Sequence, residues 1–444
     1  MTRKSCTFVV CLLAICSSLA AITWAQTSNR FKTYWGSLYE PQPPDLSIAA
    51  RRPPTQPGAA DSLHHWNTIA IDSSGLDHTP VADGDPRVFG EQLGPGRSAR
   101  AMAIVHVAIY DAVNAIARRY RSFTGIGDAV PGALMDAAIS QAAHDTLVVL
   151  FPSQKAQCDA VLAEALAAIP AGRAKDEGIR TGARAARAIL SRTANDGSNH
   201  ADPVLGVDFI TSNRPGNWRQ EDHTNAGIYW AYDGTPSLCA PPRLYNQIAV
   251  SIADQMGLDV VDLARLLALV NVTLSDAGIA SWESKYYYQV WRPITGIRES
   301  DRGTGPTGRG DGNARTVGDP TFTPLGAPAS NLQGPNFTPP FPAYPSGHAV
   351  FGGALFQTLR NVLGTDDIAF TFTSDELNGV TRDNQGNQRP LLPRSFQNLS
   401  QAEEENGQSR IYLGIHWSFD KTAGIAQGRR VANYVYRNAF RPRG

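Results

Sequence analysis

From Arg97 onward, apolar residues recur at spacings of three and four. Ala101, Ile104, Val105, Ala108, Ile109, Ala112 and Ile116 mark out one strongly apolar helix. The same periodicity predicts helices over 133–150, 153–169 and 171–193, the last running toward Asn195-Asp196-Gly197. It resumes over 242–255 and 258–290, then over 347–363, 399–412 and 418–438. Residues 199–240 read as irregular, with a turn at Asn213-Arg214-Pro215-Gly216-Asn217 and a short hairpin around 228–231. The stretch 300–340 is dense in Gly and Pro and has no period, so it is loop. Because so long a loop in a compact domain is usually functional or disordered, and this one runs into Pro345, it is expected to cover an active site. No internal repeat of fixed period is present. The pattern is that of an all-α chain.

The N-terminus follows a different logic. Arg3 and Lys4 precede an apolar stretch from Phe8 to Ile22, and Thr23-Trp24-Ala25 offers a cleavage context, so 1–25 reads as a signal peptide. The run is short for a membrane anchor, and no later segment reads as long and apolar enough to cross a bilayer. The protein should therefore be exported, either secreted or periplasmic. Residues 26–60, with Pro41, Pro43, Pro44, Pro53, Pro54 and Pro57, read as an extended Pro-rich arm ahead of a helical domain over 61–444. Without the signal peptide the formal charge falls from zero to about −2, which gives no global field for nucleic acid or an anionic membrane. Of five cysteines only Cys158 and Cys239 follow residue 25. They allow one disulfide or two buried thiols, and the absence of a CxxC or Cys/His cluster argues against a thiolate metal site.

Chemistry concentrates in the last third of the chain. Lys285 stands seven residues before Arg292-Pro293, and on one continuous helix ended by Pro293 both cations would share a face about 10 Å apart. Pro345-Ser346-Gly347-His348 precedes the run from Ala349 to Leu363. Ser346 there fits a helix N-cap, and Gly347 and His348 fit a first turn whose free amides suit an oxyanion. Arg410 and His416 are six apart and converge only if the helix breaks, which Gly414 permits. His416 and Asp420 are four apart, so a carboxylate can hold one ring nitrogen and set the tautomer of the other. Taken singly, each piece also fits a solvated stripe or a surface pair.

Together and in this order, these segments resemble the signature of the acid phosphatase / vanadium haloperoxidase superfamily, K-x6-RP, PSGH and SR-x5-H-x3-D. Lys285, Arg292, Pro293, Ser346, Gly347, His348, Ser409, Arg410, His416 and Asp420 occupy its fixed positions. Trp282 through Pro293 and Pro340 through His348 are similar to the vanadium chloroperoxidases in particular, and the run Ala101 to Ile116 to bacterial members of that group. The resemblance implies one large helical domain built around two helix bundles.

It also implies roles. As a haloperoxidase the chain would bind vanadate, with His416 as the only protein ligand of the metal. Lys285, Arg292, Ser346, Gly347 and Arg410 would hold its oxygens. His348 would be the acid–base catalyst, Lys285 would polarise bound peroxide, and Asp420 would orient His416. Hydrogen peroxide and a halide would be the substrates, with a small organic acceptor open, and Trp282 and Phe341 would line the halide site. Bromoperoxidases of the family carry a histidine where Phe341 stands, which points toward chloride. The alternative is a secreted phosphatase in which phosphate fills the same cradle, His416 attacks phosphorus and His348 protonates the leaving oxygen. The extended N-terminal half and the missing spanning helices favour the haloperoxidase. His64, His65, His78, His106, His144, His200 and His223 match no motif. Of these, His106 and His144 are expected to be buried and hydrogen-bonded on apolar helices.

Overall fold

A computed structural model describes residues 58–443, apart from 80, 82–84, 202, 205, 220–239, 327–337 and 382–386. The signal segment, the arm as far as residue 57, the hairpin near 228–231 and Cys239 lie outside the described residues. Cys158 is a buried thiol.

The described chain is helical: α1 (Ala59–Asp77), α2 (Pro95–Ala117), α3 (Met135–Leu150), α4 (Lys155–Ala167), α5 (Arg173–Thr193), α6 (Arg243–Gln255), α7 (Val260–Tyr288), α8 (Pro293–Arg298), α9 (Gly347–Leu363), α10 (Leu399–Tyr412) and α11 (Ser418–Asn438). Every helix expected from periodicity is present within a few residues. Local chemistry sets several ends. Asp259 caps α7 by accepting from the amides of Val261 and Asp262 at 3.1 and 2.9 Å. Asn398 caps α10 through the amide of Gln401 at 2.8 Å.

Four features depart from expectation. Helix α1 begins at Ala59, inside the stretch read as arm, because Leu63, Trp66 and Ala70 have a core to enter. Helix α8 exists because Pro293 opens a helix as well as it closes one. Phe370–Phe372 (β1) pairs antiparallel with Arg394–Phe396 (β2), strands too short to show a period. Finally, α2 and α7 are long and apolar enough to cross a membrane by length and composition, contrary to expectation. Their apolar windows are 89% and 72% buried within the protein, which accounts for the apolarity by core packing.

Helices α1–α5 pack into one bundle, and α7, α9, α10 and α11 into a second, with α2 lying along α7 where the two meet. Leu266, Leu267, Leu269 and Val270 of α7 and Ile104, Val105 and Ile109 of α2 are all buried in the shared core. Helices α9 and α11 approach backbone to backbone through glycine. A Cβ on Gly424 would lie 2.8 Å from the carbonyl oxygen of Ser346, and one on Gly428 would collide with that of Val350. Glu403 on α10, fully buried, accepts from Arg360 on α9 at 3.0 Å and from Arg429 on α11 at 2.9 Å. This contact locks three helices whose ends carry the candidate site.

Candidate active site

The last two turns of α7 carry Trp282 and Lys285. The helix then stops, with Gln289 in the left-handed region at φ 52°. Arg292 is therefore not on the helical face of Lys285, as its spacing suggested; it is the extended residue that caps α8. The physical reason is local: Pro293 disfavours helical backbone at the residue before it. Neighbouring chains brace the connector 289–291. The amide of Trp218 donates to Gln289 at 2.6 Å, that of Trp291 to Gly216 at 3.0 Å and that of Ala343 to Val290 at 2.8 Å.

This departure brings Arg292 to His416. Helix α10 ends at Tyr412, Gly414 turns the chain at φ 72°, and His416 follows just ahead of α11. Phe322 and Pro324 pack on Gly414, and the amide of Gly326 donates to Leu413 at 2.9 Å. The described part of the 300–340 loop thus supports the turn leading to His416. Arg292 Nη1 donates to His416 Nε2 at 2.9 Å and to the carbonyl of Ile415 at 2.8 Å. Arg292 Nε holds the carbonyl of Phe341 at 2.9 Å.

On the far side of the ring, Asp420 Oδ2 lies 2.9 Å from His416 Nδ1 and also accepts the amide of Trp417 at 2.9 Å. A carboxylate needs a donor opposite it, so Nδ1 carries the proton and the lone pair sits on Nε2. Burial, then the charges of Arg292, Lys285 and Arg410, hold the His416 pKa well below the usual imidazole value. Burial pushes Asp420 up to about 6, opposed by the Trp417 amide and by Arg292 and Lys285. Arg292 is lowered to about 9 by burial and keeps its charge at neutral pH.

Ser346 occupies the N-cap position of α9, as expected, but its hydroxyl makes no cap bond. Its amide donates to the carbonyl of Asp420 at 3.0 Å, joining the starts of α9 and α11. A Cβ on Gly347 would come within 3.2 Å of Trp282, so only glycine leaves the backbone open here. His348 is exposed. Its carbonyl is held by Asn406 Nδ2 at 2.8 Å and by the Tyr245 hydroxyl at 3.4 Å. The protein mass around it, with the cations of Arg410 and Lys285, keeps its pKa well below the usual value. Arg410 is half-buried, near enough for its charge to act on Arg292, His348 and His416.

Lys285 is fully buried. Its Nζ donates to the carbonyls of Pro342 at 3.1 Å, Ala343 at 3.0 Å and Pro345, which engages all three of its protons with the chain before Ser346. Burial and the Arg292 charge press its pKa down, while three acceptors that only an ammonium satisfies favour the charge. Its ammonium also lies 5.6 Å from the Trp282 ring centre and 5.3 Å from that of Phe341. These rings are 5.1 Å apart, so the two aromatics singled out in the sequence do meet at the site.

Lys285, Arg292, Ser346, Gly347, His348, Arg410, His416 and Asp420 therefore gather in one region, while the Ser409 hydroxyl bonds to the carbonyl of Asn406 within its own helix. Tyr245, Asn406 and Trp417 also contribute, and none was singled out, because each acts through backbone groups that no spacing reveals. His106 is buried as expected, bonded to Met102 O at 2.8 Å and Asn67 at 3.0 Å. His144 is only half-buried and lies between Asp145 and Asp159, each at 2.9 Å.

The set fits an oxyanion whose central atom takes one nitrogen ligand. Arg292 Nη2 and Ser346 Oγ are buried and make no hydrogen bond within the described protein. They accompany the lone pair on His416 Nε2, which accepts from Arg292 Nη1 and would turn from it to a ligand, and a helix start that lacks intrahelical acceptors for its amides.

Comparisons with known proteins show what the chain is similar to. Residues 265–443 match the family model for the VCPO second helical-bundle domain. Vanadium chloroperoxidase of Curvularia inaequalis is 41% identical over 251 residues, covering 49% of this chain and 39% of that relative's length. A bacterial vanadium-dependent iodoperoxidase shares the fold with a TM-score of 0.62 at 19% identity, over 88% of this chain and 99% of that one. A holo-type bacterial vanadium-dependent chloroperoxidase does so at 0.57 and 14% identity, over 84% and 97%. In its motifs and its matched second bundle, and in fold over most of its length, the chain resembles the vanadium-dependent haloperoxidases of the acid phosphatase / vanadium haloperoxidase superfamily.

Proposed function

We propose that this protein is a vanadate-dependent haloperoxidase, exported by the segment 1–25, that oxidises chloride or bromide with hydrogen peroxide to hypohalous acid. The observation that carries the reading is the environment of His416. Its Nε2 lone pair faces Arg292, beside a guanidinium nitrogen and a serine hydroxyl that are buried without acceptors. The identity to a vanadium chloroperoxidase supports the same reading.

His416 Nε2 would hold the metal, and Arg292, Arg410, Ser346 Oγ and the Gly347 amide would hold the vanadate oxygens. When bound, vanadate supplies Lewis acidity that polarises the oxygens of peroxide toward attack by halide. The chain supplies the rest. Asp420 keeps the proton on Nδ1 so that Nε2 stays a ligand. His348, neutral and reached by water, accepts a proton from peroxide and returns one to the departing oxygen. Lys285 places a fixed positive charge beside the site while its protons clamp the Pro342–Pro345 segment. Trp282 and Phe341 form an apolar wall that would strip water from the halide.

The test is halide oxidation by the metal-free protein with and without orthovanadate, beside hydrolysis of p-nitrophenyl phosphate. Halide oxidation that requires vanadate and is suppressed by phosphate is the expected result. Phosphate release inhibited by vanadate, with no halide oxidation, would assign the cradle to a phosphatase that uses His416 as nucleophile.

A further inference from the structure

We propose that Trp417 is a positioning residue that holds Arg292 and His416 in register for the anion, an inference that rests on the oxyanion reading above. Two hydrogen bonds leave this one residue toward the two halves of the site. Its amide donates to Asp420 Oδ2 at 2.9 Å, the same oxygen that faces His416 Nδ1. Its indole Nε1 donates to the carbonyl of Trp291 at 2.9 Å, one residue before Arg292. Arg292 in turn reaches back to His416 Nε2 at 2.9 Å. The contacts form a closed circuit: Trp417, Asp420, His416, Arg292, Trp291 and back to Trp417.

The circuit matters because nothing covalent or helical fixes Arg292 relative to His416. They are 124 residues apart, and Arg292 lies beyond the end of α7 in an extended connector. A guanidinium that must offer a buried proton to a bound oxyanion loses affinity steeply when displaced. Gly296 completes the arrangement. A Cβ there would lie 2.8 Å from Trp417 Cζ2 and 3.0 Å from Trp291 Cε2, so α8 leaves space for the two indoles only because residue 296 has no side chain. The indole is half-buried, so its removal need not unfold the core.

The experiment measures dissociation constants of orthovanadate and of inorganic phosphate by calorimetry, with thermal midpoints, for the full chain and for Trp417→Phe, Gly296→Ala and the double variant. Trp417→Phe keeps an aromatic ring, smaller than the indole, and loses the Nε1 donor, and should weaken both anions about ten-fold, as expected for one lost hydrogen bond. Gly296→Ala should do the same by pushing the indoles apart. Its effect should shrink in the Trp417→Phe background, where the smaller ring no longer fills that space. A merely structural role would lower the midpoint and leave affinity in the folded fraction unchanged. Unchanged affinity in Trp417→Phe, or in Gly296→Ala should the first variant not fold, overturns the inference. Failure of the unsubstituted protein to bind either anion would instead overturn the oxyanion reading, and this inference with it.

Discussion

Arg292 and His416 meet at 2.9 Å, Nη1 to Nε2, although 124 residues and two bundle helices separate them. The contact defines the site's polarity: a fixed cation stands at the imidazole nitrogen that carries the lone pair, and a carboxylate stands at the other. The carboxylate is the first point to test. Asp420→Ala should leave either tautomer of His416 available and lower vanadate affinity between about ten- and a hundred-fold, the usual cost of removing such a partner. Calorimetric titration of the metal-free protein measures this directly.

Lys285 gives a prediction about stability as well as binding. Lys285→Met removes the donors from three carbonyls in a buried segment and should cost about 3 kcal/mol or more in urea unfolding. Lys285→Arg should not restore it, because a planar fork cannot satisfy three carbonyls converging on a point.

Helix packing and the site are coupled at Gly424. In Gly424→Ala the new methyl would meet Ser346 O at 2.8 Å and the Ala349 side chain at 2.9 Å. Stability should fall by about 2 kcal/mol, and phosphate affinity should fall with it as Ser346 moves. Full affinity in the folded variant would show that α9 can shift on α11 without disturbing the cradle.

Phe341 faces Lys285 and Arg292 with ring-centre distances of 5.3 and 5.0 Å. Phe341→His replaces part of an apolar wall with a polar ring. Steady-state rates should show chloride oxidation falling relative to bromide, since chloride is the harder anion to dehydrate and oxidise. An unchanged ratio would remove Phe341 from the halide site.

The buried imidazole of His106 predicts an acid limb of stability. Burial lowers its pKa from 6.5 to about 4 in the folded state. Below 6.5 the unfolded chain takes up the proton first, so stability is complete above that pH and is lost as pH falls toward 4. The loss from this residue is about 3 kcal/mol over that window. His106→Gln should show a correspondingly smaller drop between pH 7 and 4 when urea unfolding curves are compared.

Much of this was legible in the chain itself. Helices such as α2, α7 and α9 announce themselves because a buried stripe must repeat at the helical period, and Gly414 marks the break before His416 because few other residues turn left-handed. The motif residues could be named because their chemistry resides in side-chain type and order. Helix α1 is not legible because Pro-rich sequence precedes it and its buried positions include Asn67, Ser73, Ser74 and Asp77, which interrupt the apolar stripe.

The sequence by itself determined the inventory: an all-α chain, two imidazoles, three cations, a serine hydroxyl and a carboxylate four residues from one imidazole. Only the tertiary structure decided how they meet. Arg292 faces His416, instead of sharing a helical face with Lys285, because the helix stops at Gln289 and Pro293 holds the residue before it extended. Lys285 turns its protons to backbone carbonyls because the segment 342–345 is folded over it. Trp417 enters the site because its indole finds a carbonyl 126 residues away. Periodicity and spacing encode contacts within a helix; contacts between distant backbones arise only when the core has packed.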